Sequence, residues 1–421
     1  MVERLDKVFG LDITKKLQQE NSVVGIPITQ RTTPTITRTP MEELELAYLK
    51  DPTIFNGINK SVQTIMSAGY ELQCSNKRIL NKYNEFLKGI GDTGSDTTWD
   101  ELLSQTFKHQ MIYGTAWIET VLDKRTNTHM VDLEMIDPKR MDYAKTSNNK
   151  IALDKAGRPW GYVQTLPYTE SVPANLSDPI PAGSNISRQS NQIYLAPHRI
   201  ARFPLFPIGD SFYPIGLIEP AINETTWKLN AAKGLANFIY SSGYPTKIAK
   251  IGDLNNPPTP QERDRVLDIL TKADYSKVIV MPYYNSIDYL EAKHPERMQE
   301  NLNYFLKQQV TSLGIPLPYA TGGGEATNRS TLTNQDKMFR LTLKEVIRRT
   351  SSNIEKYIFK RIAKAEGYAT IPTIKWGEIE EAGMIEKSDR LIKYIQAGVL
   401  KPEEMTDYVK KIENLDIKEG G

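Results

Sequence analysis

Residues 209–245 read GDSFYPIGLIEPAINETTWKLNAAKGLANFIYSSGYP, and residues 296–313 read ERMQENLNYFLKQQVTSL. The first stretch predicts one long helix over 214–240. Its Ile215, Ile218, Ile222, Thr225, Leu229, Ala232, Ala236 and Ile239 recur at alternating steps of three and four, the spacing of a seam facing a neighbouring helix. Ala231, Ala232, Gly234 and Ala236 keep its second half slim, so another backbone can approach closely. Pro220 belongs in the first turn or at a kink. SSGYP at 241–245 stops the helix. The second stretch predicts a helix with the apolar stripe Met298, Leu302, Phe305, Leu306, Val310 and Leu313. Its other side carries the amides Gln299, Asn301, Asn303, Gln308 and Gln309. The charges Glu296, Arg297, Glu300 and Lys307 cancel. Such a face is wet and holds neither cations nor anions strongly.

Between the two helices, residues 245–293 predict a small β-α-β-β insert. A strand at 246–251 precedes the capping box Thr259-Pro260-Gln261-Glu262, whose helix reaches Ala273. Strands at 277–281 and 286–290 then pair as a hairpin. After the second helix come GIPLP at 314–318 and a Gly-rich loop: Thr321, Gly322, Gly323, Gly324, Glu325, Ala326, Thr327, Asn328 and Arg329.

Working outward, residues 2–19 predict a short helix broken near Gly10. The Thr/Pro-rich segment 26–40 is either a tail or an arm laid on a partner. Residues 41–70 are helical, with Asp51-Pro52 starting a second helix in which Ile54, Phe55, Ile58, Val62, Ile65 and Met66 share helical spacing. A strand at 70–74, a helix at 78–89 and a helix at 99–113 ended by Gly114 follow. Strands at 115–122 and 129–136 form a hairpin. Eight prolines between Arg158 and Pro207 exclude helix there; 160–166 and 192–203 read as strands around a polar loop, 168–191. Residues 41–210 therefore make one α+β domain. Downstream lies the longest helix, 332–366, closed by Gly367 and bent near Ser351-Ser352. Lys337, Arg340 (or Lys344) and Arg348 form a basic stripe on it. A strand at 373–376 and two helices, 380–397 and 402–411, make a small cap.

The 421-residue chain is 39% hydrophobic and 25% charged, ordinary for a globular protein with two or three domains. Its 53 basic and 51 acidic residues leave a net charge of +2, which argues against tight generic binding of DNA phosphates. A protein that lets DNA slide past needs no basic excess. Cys74 is alone, so no disulfide framework or cysteine zinc site exists, as suits a reducing compartment. The histidines at 109, 129, 198 and 294 have no paired-ligand spacing. No apolar run reaches membrane-spanning length, and the N-terminus is charged and amphipathic, unlike a signal peptide.

Catalytic patterns are mostly missing. The Gly322, Gly323, Gly324 loop lacks the Gly-Lys-Ser/Thr of a phosphate-binding loop and follows a Pro-rich turn. Asp132, Glu134 and Asp137 suggest nuclease metal ligands, with Asp132 and Glu134 on one strand face, but nothing completes the set. A DNA-processing enzyme using these three acids is the alternative reading. His198, beside Arg199, reads as structural. There is no nucleophile elbow or zinc helix motif.

Three segments resemble a tailed-virus portal protein, of the bacteriophage head-tail type. Residues 209–245 resemble the start of its first stem helix. SLGIPLPYATGGGEATNRSTLTNQDKMFR (312–340) resembles the end of its second stem helix, the tunnel loop and the long wing helix, and IQAGVLKPEEM (395–405) its closing helix pair. The resemblance implies an α+β portal-like fold. An arm is expected at 1–40, an α/β wing at 41–210 completed by the helix and strand of 332–376, and stem helices at 211–243 and 295–314. The β-α-β-β clip falls at 244–294, the tunnel loop at 315–331 and a short helical crown at 377–421. It implies a closed ring, typically of about twelve subunits, at one capsid vertex. Double-stranded DNA would pass through it during packaging and ejection. A separate large-terminase ATPase would dock on the clip, and head-completion or adaptor proteins would follow it there. Capsid and scaffold proteins would surround the wing. The chain would occur in the virion, and in the host cytoplasm during assembly, with no cofactor, metal or catalytic residue of its own. The tunnel loop from Thr321 to Arg329 would touch DNA, and Gln299, Asn303 and Lys307 would line the bore. A near-neutral wall suits that role, because affinity rises steeply with the number of neutralised phosphates.

Overall fold

The computed structural model describes residues 39–92, 96–123, 125, 126, 128–166, 177–209, 211–243, 247–252, 255–273, 278–282, 296–321, 329–377, 379, 393, 395 and 396. The expected helix at 2–19, the 26–38 segment, the 286–290 strand and most of the terminal helix pair lie outside these residues. Helices α1 (Met41–Lys50) and α2 (Pro52–Ser67) meet at Asp51, which caps α2. Strand β1 (Tyr70–Gln73), α3 (Lys77–Lys88) and α4 (Trp99–Tyr113) follow. Thr98 and Glu101 close a reciprocal capping box at the head of α4, and Gly114 ends it in the left-handed region.

Strands β2 (Thr115–Leu122) and β3 (Met130–Ile136) form the expected antiparallel hairpin. Then come β4 (Met141–Tyr143), β5 (Lys145–Thr146), β6 (Tyr162–Thr165), β7 (Ile186–Ser187), β8 (Gln192–Leu195) and β9 (Ile200–Pro204). The single strand expected at 192–203 is in fact two. A 3-10 turn, Pro197–Arg199, breaks it, and the halves join different sheets, β4-β6-β8 and β3-β2-β9. Pro197 has no amide to give a ladder. The carbonyls of Pro197, His198 and Ile200 instead accept from the Arg361 guanidinium at 2.8–3.0 Å. Arg199 pairs with Glu119 and with Asp178. The two sheets meet through Trp117, Tyr143 and Tyr162, with Arg202 lying over the Trp117 and Tyr143 rings.

The long helix α5 is Ile222–Gly243, preceded by a 3-10 turn at Glu219–Ala221 that contains Pro220. It starts later than its periodicity suggested. Residues 214–217 instead run across the end of α4, with Leu217 N donating to Met111 O and Ile215 N to Phe206 O. Contact is tight there: a Cβ on Gly114 would lie 2.3 Å from Pro214 O, and one on Gly216 would lie 2.8 Å from Ile112 O. Two glycines therefore let two backbones touch.

The insert contains β10 (Lys247–Ile251), α6 (Pro260–Ala273) and β11 (Val278–Pro282). Glu262 and Thr259 make the predicted capping box. Strands β10 and β11 are parallel neighbours, the arrangement a helical crossover permits. Helix α7 (Glu296–Leu313) returns antiparallel to α5, and the short α8 (Leu317–Thr321) follows. The last long rod is α9 (Arg329–Ile354), a π-helical turn (Glu355–Phe359) and α10 (Lys360–Glu366), closed by left-handed Gly367. The irregularity falls one turn beyond Ser351-Ser352. Strand β12 (Thr373–Trp376) pairs antiparallel with β1.

Helix α2 lies at the centre of the largest core. Its Ile54, Ile58, Val62 and Ile65 pack with Leu44 of α1, Phe107 and Met111 of α4, Leu313 of α7, and Phe339 and Leu343 of α9. A second core joins α3, α4 and the β2-β9 pair to the π-helical turn through Tyr83, Leu103, Phe203 and Phe359.

His109 on α4 is partly buried and meets Tyr113 edge-on, and its buried Nδ1 has no hydrogen-bond partner among the described residues. Burial pushes its pKa down to about 4 from an ordinary 6.5. The unfolded chain therefore binds a proton that the folded chain refuses. This contribution to stability should be complete above about pH 6.5 and fade as pH drops toward 4, by on the order of 2 kcal/mol. Urea melts across pH 4–7 should show that slope, and His109→Gln should flatten it.

Candidate functional site

A buried polar cluster ties the α5–α7 pair to the head of α2. Asp51, fully buried, caps α2 by accepting from Thr53 N at 2.8 Å and Ile54 N at 3.4 Å. The Lys228 ammonium of α5 reaches Asp51 at 2.9 Å, Thr53 Oγ1 at 3.0 Å and Gln309 Oε1 at 2.8 Å, which uses all three of its protons. Gln309 of α7 donates through Nε2 to Asp51 Oδ2 at 2.8 Å and to Thr225 Oγ1 at 2.9 Å. Thr225 in turn donates to Ala221 O. A buried charge pair stabilises only when its remaining valences are met, and here they are. Ser312 Oγ adds a second tie, to Leu217 O at 2.7 Å.

This cluster corrects two expectations. Gln309 was expected on the wet side of α7, yet it is 0% exposed. Lys228 and Lys233 leave the seam of the predicted first helix, where they could point at DNA or at a neighbour's Glu224; Lys228 is instead bound within its own chain. Composition reads an amide and a lysine as solvent-seeking. Only the arrival of Asp51 from α2 makes their burial favourable. One sign was present in the sequence: Asp51-Pro52 is a helix start whose capping carboxylate needs a partner if buried.

Away from the cluster, α5 and α7 touch through Trp227 and Phe305, with ring centroids 6.3 Å apart. Among the expected bore-lining residues, Asn303 and Lys307 are exposed on α7. The Gln299 side chain lies outside what is described. Further along, Trp227 and Ile239 of α5 and Tyr304 of α7 are 54–59% exposed. Ala232 and Ala236, on the seam the sequence predicts, are exposed too.

Of the Gly-rich loop, Thr321 is exposed at the end of α8, where its hydroxyl donates to Leu317 O. Gly322, Gly323, Gly324, Glu325, Ala326, Thr327 and Asn328 lie outside the described residues. Arg329 opens α9, three residues before the expected start, and its side chain is likewise outside them. Both ends of the loop are clamped together. Asn56 Nδ2 donates to Tyr319 O at 2.6 Å, the Tyr319 hydroxyl donates to Asp336 at 2.8 Å, and Arg340 holds the other Asp336 oxygen at 2.6 Å. Tyr319 also packs edge-on against Phe339.

The basic stripe of α9 is partly paired, and the helix keeps more cations than carboxylates. Arg340 is paired with Asp336, and Arg348 forms a two-pronged contact with Glu345 at 2.9 Å on each prong. Arg349 also donates to Glu345, and the hydrogen bonds from Arg348 and Arg349 hold that carboxyl down at about 2. Lys337 stays exposed.

The three acids of the enzyme alternative are employed structurally. Asp132 is buried and accepts from Gly91 N and Leu133 N. Exposed Glu134 lies opposite Glu119 across the ladder. Asp137 caps the turn at Pro138–Arg140 and lies 3.6 Å from Lys139. No cluster of three metal-capable side chains occurs among the described residues. No described helix is long and apolar enough to cross a membrane.

Residues 42–414 match the model of a family described as the portal protein of Mu bacteriophage. Among solved structures, the chain is similar to a protein in the virion of a native gene transfer agent particle, at 14% identity and a TM-score of 0.59. That match covers 94% of this chain and 99% of that one. It is also similar to a protein of the neck of the native particle, computed with C12 symmetry, at 15% identity and a TM-score of 0.54, covering 93% and 97%. A neck of the empty particle, computed with C6 symmetry, gives 16% identity and the same TM-score, covering 92% and 96%. At these identities the likeness is one of fold. No curated protein matches the chain.

Lys228→Met should strand the Asp51 charge in a dry site and lower stability by about 3–5 kcal/mol. Replacing both partners, Lys228→Met with Asp51→Asn, should recover part of that loss. Denaturant midpoints of the two variants against the parent protein check this.

Proposed function

The chain belongs to the family of portal proteins of Mu bacteriophage, and from that membership we propose how its parts serve the passage of DNA through a capsid vertex. Copies of the chain close head-to-tail into a ring, typically of about twelve, with the α5–α7 pair of each copy surrounding the bore. The observation that carries this reading is the outer half of α5. Its seam periodicity continues through Ala232, Ala236 and Ile239, yet among the described residues nothing covers that face. A monomer would leave apolar surface in water for no gain, whereas a neighbour in a ring buries it.

The Asn303 and Lys307 face of α7 lines the bore. The charges Glu296, Arg297, Glu300 and Lys307 of α7 cancel, so each copy offers the duplex few phosphate contacts, and the duplex slides rather than binds. The loop from Thr321 to Arg329 projects toward DNA from the clamped base formed by Tyr319 and Asp336. The clamp holds the two ends of the loop in place. The β10-α6-β11 insert is the docking platform for a separate packaging ATPase and later for head-completion or adaptor proteins. Capsid and scaffold proteins meet the domain built around α2. The assembly forms in the host cytoplasm and stays in the virion.

Size decides the ring. Purified protein should sediment or image in negative stain as rings many times the 47.8 kDa of one chain. A monomer at every concentration would sink the reading. Deleting Gly322, Gly323 and Gly324 should leave ring formation intact but lower DNA packaged or retained by at least about tenfold, a loss of about 1.4 kcal/mol or more in retention. Normal packaging by that variant would remove the loop from the mechanism.

A further inference from the structure

We infer that the outer edge of β12 takes a further strand, residues 413–419 (ENLDIKE) of this chain, seated in the cleft between β12 and α9. The contact needs no second copy, so it stands apart from the ring reading.

The ladder of β1 and β12 leaves one edge turned to α9. Gly377 N donates to Gly69 O at 3.0 Å, directly opposite in the register. Bonded and non-bonded pairs alternate between antiparallel neighbours, so Lys375 and Thr373 also bond toward β1. The amides and carbonyls of Ile374 and Trp376 therefore point outward. Glu355 Oε1 accepts from the Ile374 amide at 3.3 Å. The Trp376 amide has no partner among the described residues, and no described strand pairs with that edge. Such an edge is a template for an extended segment. It opens on a cleft of about 600 Å³ whose far wall is α9 and the π-helical turn, from Lys344 to Glu355. Ile347, Trp376 and Ile379 give the cleft apolar surface, and exposed Lys344 and Arg348 give it positive charge. Trp376 Nε1 donates to Ser351 Oγ at 2.8 Å, which fixes the indole against α9. Glu345 engages two of the five N–H donors of Arg348, and three remain.

Pattern, charge and reach select the occupant. In an extended 413–419, Glu413, Leu415, Ile417 and Glu419 fall on one side, apolar in the middle and acidic at both ends. That order suits an apolar floor flanked by cations. Asp416 falls on the other side, as exposed Lys375 does on β12. The Thr/Pro-rich segment 21–40 also alternates in part, but it carries Arg31 and Arg38 and no acid, the wrong sign for this cleft. The chain leaves the cleft at Ile379 and enters the helices expected at 380–397 and 402–411; Lys393, Ile395 and Gln396 are helical. Folded back as a hairpin, rods of about 27 Å and about 15 Å bring the chain to within about 12 Å of its starting level. Residues 412–415, extended, cover about 13 Å. Leu415 thus returns to the level of Ile379.

Amide hydrogen exchange on the full chain, resolved to single residues, tests the contact. The Trp376 amide should be protected in the parent protein, and Leu415→Asp with Ile417→Asp should speed its exchange by about tenfold or more. The Lys375 amide, bonded to β1, should exchange at the parent rate in both, which separates a lost strand from a loosened fold. A double variant that keeps the parent's protection at Trp376 would overturn the inference. So would a parent protein whose Trp376 amide exchanges as fast as an unstructured one, a result that needs no variant to fold. If Lys375 speeds up together with Trp376, the loss is general, and 413–419 is not the edge's partner.

Discussion

The Lys228 ammonium holds three parts of the chain in register. It reaches Asp51 at the head of α2 and Gln309 on α7, while itself belonging to α5. Helix α2 is the element around which the largest core is packed. Through one cation, the two rods are thus referenced to the centre of the core. The geometry is demanding: all donors and acceptors must be present together, since each alone would be a buried group without a partner. Such a cluster specifies one arrangement of the rods more than it adds stability. In a ring-forming portal that matters, because a small tilt of each rod would be repeated around the axis and spoil closure.

Below the cluster the rods leave the core, and the chemistry changes. Buried polar satisfaction gives way to exposed alanines, Ile239, Trp227 and Tyr304. A protomer alone has no use for that surface. Family membership and a near-neutral charge agree with a protein that surrounds DNA without gripping it. The loop that follows α8 is anchored at its two ends by Tyr319 and Asp336, so its reach is bounded by a fixed base.

Much of this was legible from periodicity and caps. The limits of α4, the hairpin β2–β3, the capping box before α6 and the glycine closing α10 are local features. Each rests on hydrogen bonds between residues a few positions apart. The errors share one cause. The run 192–203 has strand composition throughout, but Arg361, distant in sequence, supplies donors that make a break at Pro197 favourable. Residues 214–217 have helical spacing, but Gly114 and Gly216 allow a backbone crossing that a periodic count does not register. Gln309 and Lys228 look solvated until Asp51 is brought beside them.

The amino-acid sequence by itself determined the order of elements, the absence of a completed catalytic or metal pattern, the slim seam of α5 and the placing of two rods around a small insert. Those follow from spacing and composition, which are properties of neighbours along the chain. The tertiary structure alone decided that the seam splits into a half packed against α7 and α1 and a half left exposed. It also decided that a lysine and a glutamine read as bore-facing or wet are structural anchors. The physical reason is that burying a polar group is unfavourable until its partners arrive, and here they arrive from 177 and 258 residues away in the chain.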